Sequence, residues 1–196
     1  AGTCTVVTDA PEGEITDPPA PEGMTMEEAL PDFKFIDALP GKKIILKGNH
    51  DYWWTTATKA RSFFEKNDIK NIDVLHNSSF AYGGVSICGT RGWVYEESKG
   101  VEHDKKIMNR EIMRLEASLK AAKTDEIYVF LHYPPKYINY TCPEILELLQ
   151  KYNVKRCCYG HIHGAGCQYA FNGTLSGTDF MLVSADHVKF KPVKLI

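Results

Sequence analysis

Three apolar runs in this 196-residue chain each stop at a histidine, and that recurrence constrains the fold more than any other feature. Residues 43–47 enclose Ile44-Ile45-Leu46 and lead into Gly48-Asn49-His50-Asp51. Residues 126–131 lead to His132, and residues 155–159 lead into Gly160-His161-Ile162-His163-Gly164. Short continuous apolar runs read as strands buried on both faces, the kind found in sheets covered by helices. Open α/β sheets place their sites outside strand ends, so three such ends predict one shared pocket.

Between these runs lie segments of helical period. Thr25 forms a capping-box pattern with Glu28, and Ala29, Phe33, Ile36 and Leu39 continue at helical spacing, bent or restarted at Pro31. Residues 55–67, 103–122 and 142–152 also read as helices. Further strands are predicted at 5–8, 74–76, 80–82 and 85–89, with Gly83-Gly84 as a hairpin turn. From Cys167 to Ile196, alternation around Asn172-Gly173 and Gly177 predicts antiparallel strands. Helices and strands interleaved in this way predict an α/β sandwich with a mixed sheet rather than a closed barrel.

Composition narrows the class. With 43% apolar residues and a net charge of -2, the chain is expected to form one globular domain without a broad electrostatic footprint for nucleic acid or anionic membrane. No apolar run approaches the roughly 20 residues of a membrane span, and the start lacks signal-peptide character, so a cytoplasmic address is expected. The six cysteines are scattered and read as reduced thiols. Residues 1–24, rich in Pro, Gly and acidic side chains, read as an atypical leading segment before a domain at 25–196.

Imidazole nitrogens and an amide oxygen suit Mn, Fe, Zn or Ni better than calcium. In an extended segment, residues two apart face one side, so His161 and His163 are expected to present nitrogens together. Arg91, in Gly89-Thr90-Arg91-Gly92-Trp93, offers a planar fork of donors to a phosphate, or alternatively a surface ion pair. Tyr52, Trp53 and Trp54 read as a pocket roof or as packed core. Cys157 and Cys158 suggest a mixed zinc site, but adjacent strand residues point to opposite faces, which favours buried thiols. His76, His103 and His187 have no ligand partner in sequence and read as structural or surface histidines.

Taken in order, Gly48-Asn49-His50-Asp51, the strand-terminal His132 and Gly160-His161-Ile162-His163 resemble the later motifs of the calcineurin-like metallophosphoesterase superfamily. Cys88-Gly89-Thr90-Arg91-Gly92-Trp93 resembles a bacterial subgroup of uncharacterised phosphoesterases. The resemblance implies a calcineurin-like β-sandwich of mixed sheets flanked by helices, and hydrolysis of a phosphomonoester or phosphodiester by metal-activated water attacking in line. It implies that Asn49 binds the second metal and the phosphate, that His132 and His161 complete that metal's ligands, and that His163 binds the first metal. His50 would protonate the leaving alkoxide or stabilise phosphoryl charge, with Asp51 orienting its ring.

The earlier motifs of that family, Asp-x-His and Gly-Asp, have no match in this chain. Asp9 and Asp17 are the acidic residues nearest in place, but lack the required neighbours. The expectation is a truncated, rearranged or frame-shifted beginning and one metal where the family has two. A bridging carboxylate offsets repulsion between two dications, so its loss opens an alternative: a catalytically impaired metal-binding or interaction scaffold.

Overall fold

The computed structural model describes residues 5–7, 25–49, 51, 56–94 and 101–196, with backbone alone at 5–7 and at 101–102. Two sheets form the centre. The first has the order β1-β2-β3, with β1 (Thr5–Val7), β2 (Lys43–Ile45) and β3 (Ile72–Val74) all parallel. The second has six strands in the order β10-β11-β9-β6-β5-β4. Its inner strands β5 (Val85–Thr90), β6 (Glu126–Leu131), β9 (Arg156–Tyr159) and β11 (Thr178–Leu182) are parallel. The outer strands β4 (Phe80–Tyr82) and β10 (Gly173–Leu175) run antiparallel to their neighbours.

Strand alternation assigns each residue to a layer. Ile44, Leu46 and Leu75 from the first sheet pack with Val85, Ile87, Tyr128, Phe130 and Cys158 from the second, making the core between the sheets. Ile45, Ile72 and Val74 face outward onto Phe33 of α1 (Leu30–Ala38) and Ala60 and Phe64 of α2 (Ala57–Lys66). On the far side, Cys88, Val129, Leu131, Cys157 and Tyr159 meet Met108, Leu115 and Leu119 of α3 (Val101–Lys120) and Ile145 and Leu149 of α4 (Pro143–Lys151). Two sheets flanked by helices on both outer faces give the expected α/β sandwich. Each fully buried Leu or Ile in these layers contributes about 1.5–3 kcal/mol of transfer free energy.

The capping box forms, since the Thr25 N–H donates to Glu28 Oε2 at 2.6 Å and the Glu28 N–H to Thr25 Oγ1 at 3.2 Å. Regular helix begins only at Leu30, with Pro31 in its first turn, where a missing N–H costs no helical bond. Lys43 is 2% exposed, and its ammonium donates to the carbonyls of Asp37, Leu39 and Gly41, which satisfies a buried charge at the end of α1. Gly83 and Gly84 have φ of 56° and 85°, as the tight β4–β5 turn requires.

Several sequence expectations need correction. The strand expected at 74–76 is Ile72–Val74, because pairing with Lys43–Ile45 sets its register; beyond it, Leu75 N–H still reaches the Ile45 carbonyl while His76 N–H turns to Ser78. The alternation after Leu182 builds no further strand: residues 185–190 form consecutive turns, with Lys189 and Phe190 at positive φ. A small hairpin of β7 (Lys136–Tyr137) and β8 (Tyr140–Thr141) went unforeseen, since two-residue strands leave no periodicity to read. Apart from Thr5–Val7, residues 1–24 lie outside the described residues, and so do Asp9, Asp17, His50 and Tyr52-Trp53-Trp54.

Candidate metal centre

The parallel strands deliver their carboxyl ends to one edge of the sandwich. There Asn49, following β2, His132, following β6, and His161, following β9, meet across long sequence separations. Asn49 Oδ1 lies 2.5 Å from His132 Nε2, which lies 3.1 Å from His161 Nδ1. His132 is only 3% exposed. Three donor atoms from three strand ends thus share one small volume.

Close backbone approach makes this possible. A Cβ on Gly48 would stand 3.2 Å from both Cε1 and Nδ1 of His132 and 3.3 Å from Asp51 Oδ2, so glycine leaves room for the ring. Asp51, 8% exposed, accepts the Gly48 N–H at 2.5 Å and pins the turn that carries Asn49. The His132 and Tyr133 N–H groups both donate to the Arg91 carbonyl, tying the end of β6 to that of β5. Aromatic rings back the histidines: Tyr133 lies 4.4 Å from His161 and 4.9 Å from His132 by ring centroids, and Trp93 stacks edge-on against Tyr133 at 5.4 Å. The Trp93 indole N–H donates to the buried Asp104 carboxylate at 3.1 Å, which locks the outermost ring.

His161 has φ of 70°, a left-handed conformation that is rare away from glycine and is held here by its surroundings. The segment is therefore not extended through His161, and simple alternation does not govern where the two histidines face. His161 turns to His132, whereas His163 Nδ1 lies 3.0 Å from Asp186 Oδ1. Burial raises the Asp186 pKa, but hydrogen bonds from Gly164 N–H, His163 and His187 N–H outweigh it and hold the carboxyl below its usual range. An ionised Asp186 can only accept, so the hydrogen of this bond lies on His163 Nδ1, and Nε2 is the nitrogen left for a metal. Asp186 follows β11, another parallel strand end; its place after an apolar strand was the available signal, and it was missed.

The donor set fits a borderline divalent metal. Ligand atoms about 2.0–2.1 Å from one octahedral or tetrahedral ion stand about 2.8–3.4 Å apart, which the His132–His161 pair already meets, while Asn49 and His132 would open slightly. Among the described residues no group of three or more His, Cys, Asp or Glu side chains assembles for a metal, so the cluster relies on the Asn49 amide as its third donor.

The profile of calcineurin-like phosphoesterases matches residues 13–165. The chain belongs to the calcineurin-like phosphoesterase family. Metal-dependent phosphoester hydrolysis is the general chemistry of that family. Among solved chains, one crystal structure aligns at 18% identity with a TM-score of 0.47, covering 79% of this chain and 62% of its own. No curated protein matches the chain. As expected for adjacent strand residues, Cys157 and Cys158 are buried on opposite faces of the second sheet, and burial raises both thiols, that of Cys158 to about 12. Among the described residues no helix is long and apolar enough to cross a membrane.

Arg91 lies beside the metal-edge residues of this chain, with its guanidinium 4.8 Å from the Trp93 ring centroid. It also lines a cavity with Lys47, His76, Thr90, Glu111 and Arg114. His76, expected as a structural or surface residue, faces this cavity, and nothing in its local sequence signalled that.

Proposed function

We propose that this chain hydrolyses a phosphomonoester or phosphodiester with a metal-activated water, at the edge where Asn49, His132 and His161 converge. The convergence of those three donors carries the reading. A divalent ion held there, Mn, Fe, Zn or Ni by donor type, supplies a water of lowered pKa and offsets charge on the phosphoryl oxygens. Asn49 would hold that ion through its amide oxygen and would also contact the phosphate. Tyr133 and Trp93 keep the His161 ring in place, and Asp51 keeps the Gly48-Asn49 turn in place. His163, oriented by Asp186, would offer Nε2 to the ion that the family resemblance counts as the first. His50 delivers the proton to the leaving alkoxide, and Arg91 binds the substrate's negative charge.

A second reading, a metal-binding scaffold without turnover, draws support from the cluster's composition: its three donors are an amide and two imidazoles, and none is a carboxylate. One assay separates the two. Hydrolysis of an aryl phosphate and a bis-aryl phosphodiester is measured with Mn, Ni, Zn or Mg, before and after chelation. Metal-dependent turnover is expected, with His161→Ala lowering both metal content and rate, and His50→Ala lowering rate more than metal content. Turnover insensitive to chelation and to both substitutions refutes the enzyme reading, and bound metal without turnover favours the scaffold.

A further inference from the structure

The cavity beside the metal edge has a charge pattern of which the hydrolytic reading uses Arg91 alone. It encloses about 200 Å³ between the ends of β2, β3 and β5, the start of α2 and the middle of α3. That is below the ~300–1,000 Å³ of pockets for drug-sized ligands, so it suits one small group rather than a nucleobase or acyl chain. Its walls carry three cations, Lys47, Arg91 and Arg114, against one carboxylate, Glu111.

Glu111 is already committed. It is 1% exposed, accepts Thr90 Oγ1 at 2.5 Å and Gly92 N–H at 3.2 Å, and takes Arg114 Nη1 on its other oxygen at 2.6 Å. That pairing neutralises about one cation. Burial holds the Lys47 ammonium below its usual range, with Arg91 and Arg114 adding to that effect and Asp51 and Glu111 opposing it. Burial and the nearby Arg114 guanidinium push His76 toward its neutral form, so it lines the wall as a hydrogen-bonding ring rather than a further cation. Thr56 and Ala57 add the N-terminus of α2, whose dipole also favours an anion. The Arg91 guanidinium carbon sits over the Trp93 ring, and the guanidinium's five N–H donors can still serve an oxyanion.

The cavity adjoins the metal edge through the chain itself. Lys47 directly precedes Gly48-Asn49, and the Arg91 carbonyl holds the His132 N–H. We propose that this cavity is an oxyanion subsite for a second anionic group of the substrate, so that preferred substrates carry two: the phosphoester at the metal edge and a phosphate or carboxylate here. The substrate assignment rests on the hydrolytic reading, but oxyanion binding by the cavity does not.

Calorimetric titration of inorganic phosphate into the chelated, metal-free protein reads anion binding without a bound ion, and variants of the lining assign it to the cavity. Saturable binding is expected, weakened at least tenfold in Arg91→Gln and in Lys47→Gln, each checked for a wild-type thermal midpoint. Absent binding, or binding unchanged in both folded variants, overturns the subsite. A second titration compares an alkyl monophosphate with the matching alkane bisphosphate on metal-loaded protein, which requires no turnover. The bisphosphate should bind at least tenfold tighter, with the advantage lost in Arg91→Gln. Equal affinity, with phosphate still binding the metal-free protein, means a free-anion site and overturns the two-anion substrate. Failure of the hydrolysis assay alone overturns the enzyme reading and leaves both titrations readable.

Discussion

Gly48→Ala tests whether the metal edge depends on the close approach of its backbone. The added Cβ would lie 3.2 Å from His132 Cε1 and Nδ1 and 3.3 Å from Asp51 Oδ2. Comfortable carbon contacts lie at about 3.5–4.0 Å, so the ring or the turn must yield by roughly 0.3–0.8 Å. Metal–ligand distances tolerate only about ±0.2 Å, so the displacement exceeds what a ligand set absorbs. Metal affinity should fall by about 10–100-fold, the scale seen when supporting residues of metal sites are altered, equivalent to about 1.4–2.8 kcal/mol. Gly48 is not among the positive-φ positions, so alanine fits its backbone, and overpacking should cost about 1–3 kcal/mol of stability. Calorimetric titration with Mn or Zn reads affinity, urea unfolding reads stability, and turnover at high metal should partly recover. Wild-type affinity in a folded Gly48→Ala protein would refute the argument that His132 reaches its place only because residue 48 lacks a side chain.

Three further outcomes follow from the packing. In Gly89→Ala the Cβ would fall on the Phe130 carbonyl oxygen, a backbone atom in the adjacent strand that cannot step aside, so destabilisation of about 3 kcal/mol or more is expected; a urea midpoint near wild type would contradict the β5–β6 geometry. Glu116 bonds Lys151, Lys120 and Tyr152, which hold its carboxyl down at about 2; a depressed folded pKa stabilises above the unfolded carboxylate range and is lost as pH falls through about 2. The thermal midpoints of wild type and Glu116→Gln should therefore differ at pH 7 and converge toward pH 2, and a constant gap would show that the ion pairs do not link α3 to α4. Burial raises Cys88 and Cys142 to about 11 and Cys157 and Cys158 further, so at pH 8 the first two are only about one thousandth thiolate. Alkylation of native protein, followed by mass spectrometry, should modify Cys167 first among the five described cysteines; equal labelling of Cys157 would contradict its burial.

The sequence by itself determined the chemistry of the strand ends. Apolar runs that stop at Asn49, His132 and His161 carry their meaning locally, because a buried strand is read from its own residues and its end from the polar turn that follows. The α/β class was legible for the same reason, as was the opposition of Cys157 and Cys158, which needs only the two-residue period of a strand. Local pattern misled where a backbone departs from its regular form, as at His161 with φ of 70°. Only the tertiary structure decided which strand ends meet, since sheet order and layer packing depend on contacts between distant residues. It brought Asp186 to His163 over 23 positions, and drew Lys47, Arg91 and Arg114 from two strand ends and a helix into one small cavity around Glu111. No short window of sequence contains those neighbours, because like charges gather there through the folding of three separate segments against a shared buried carboxylate.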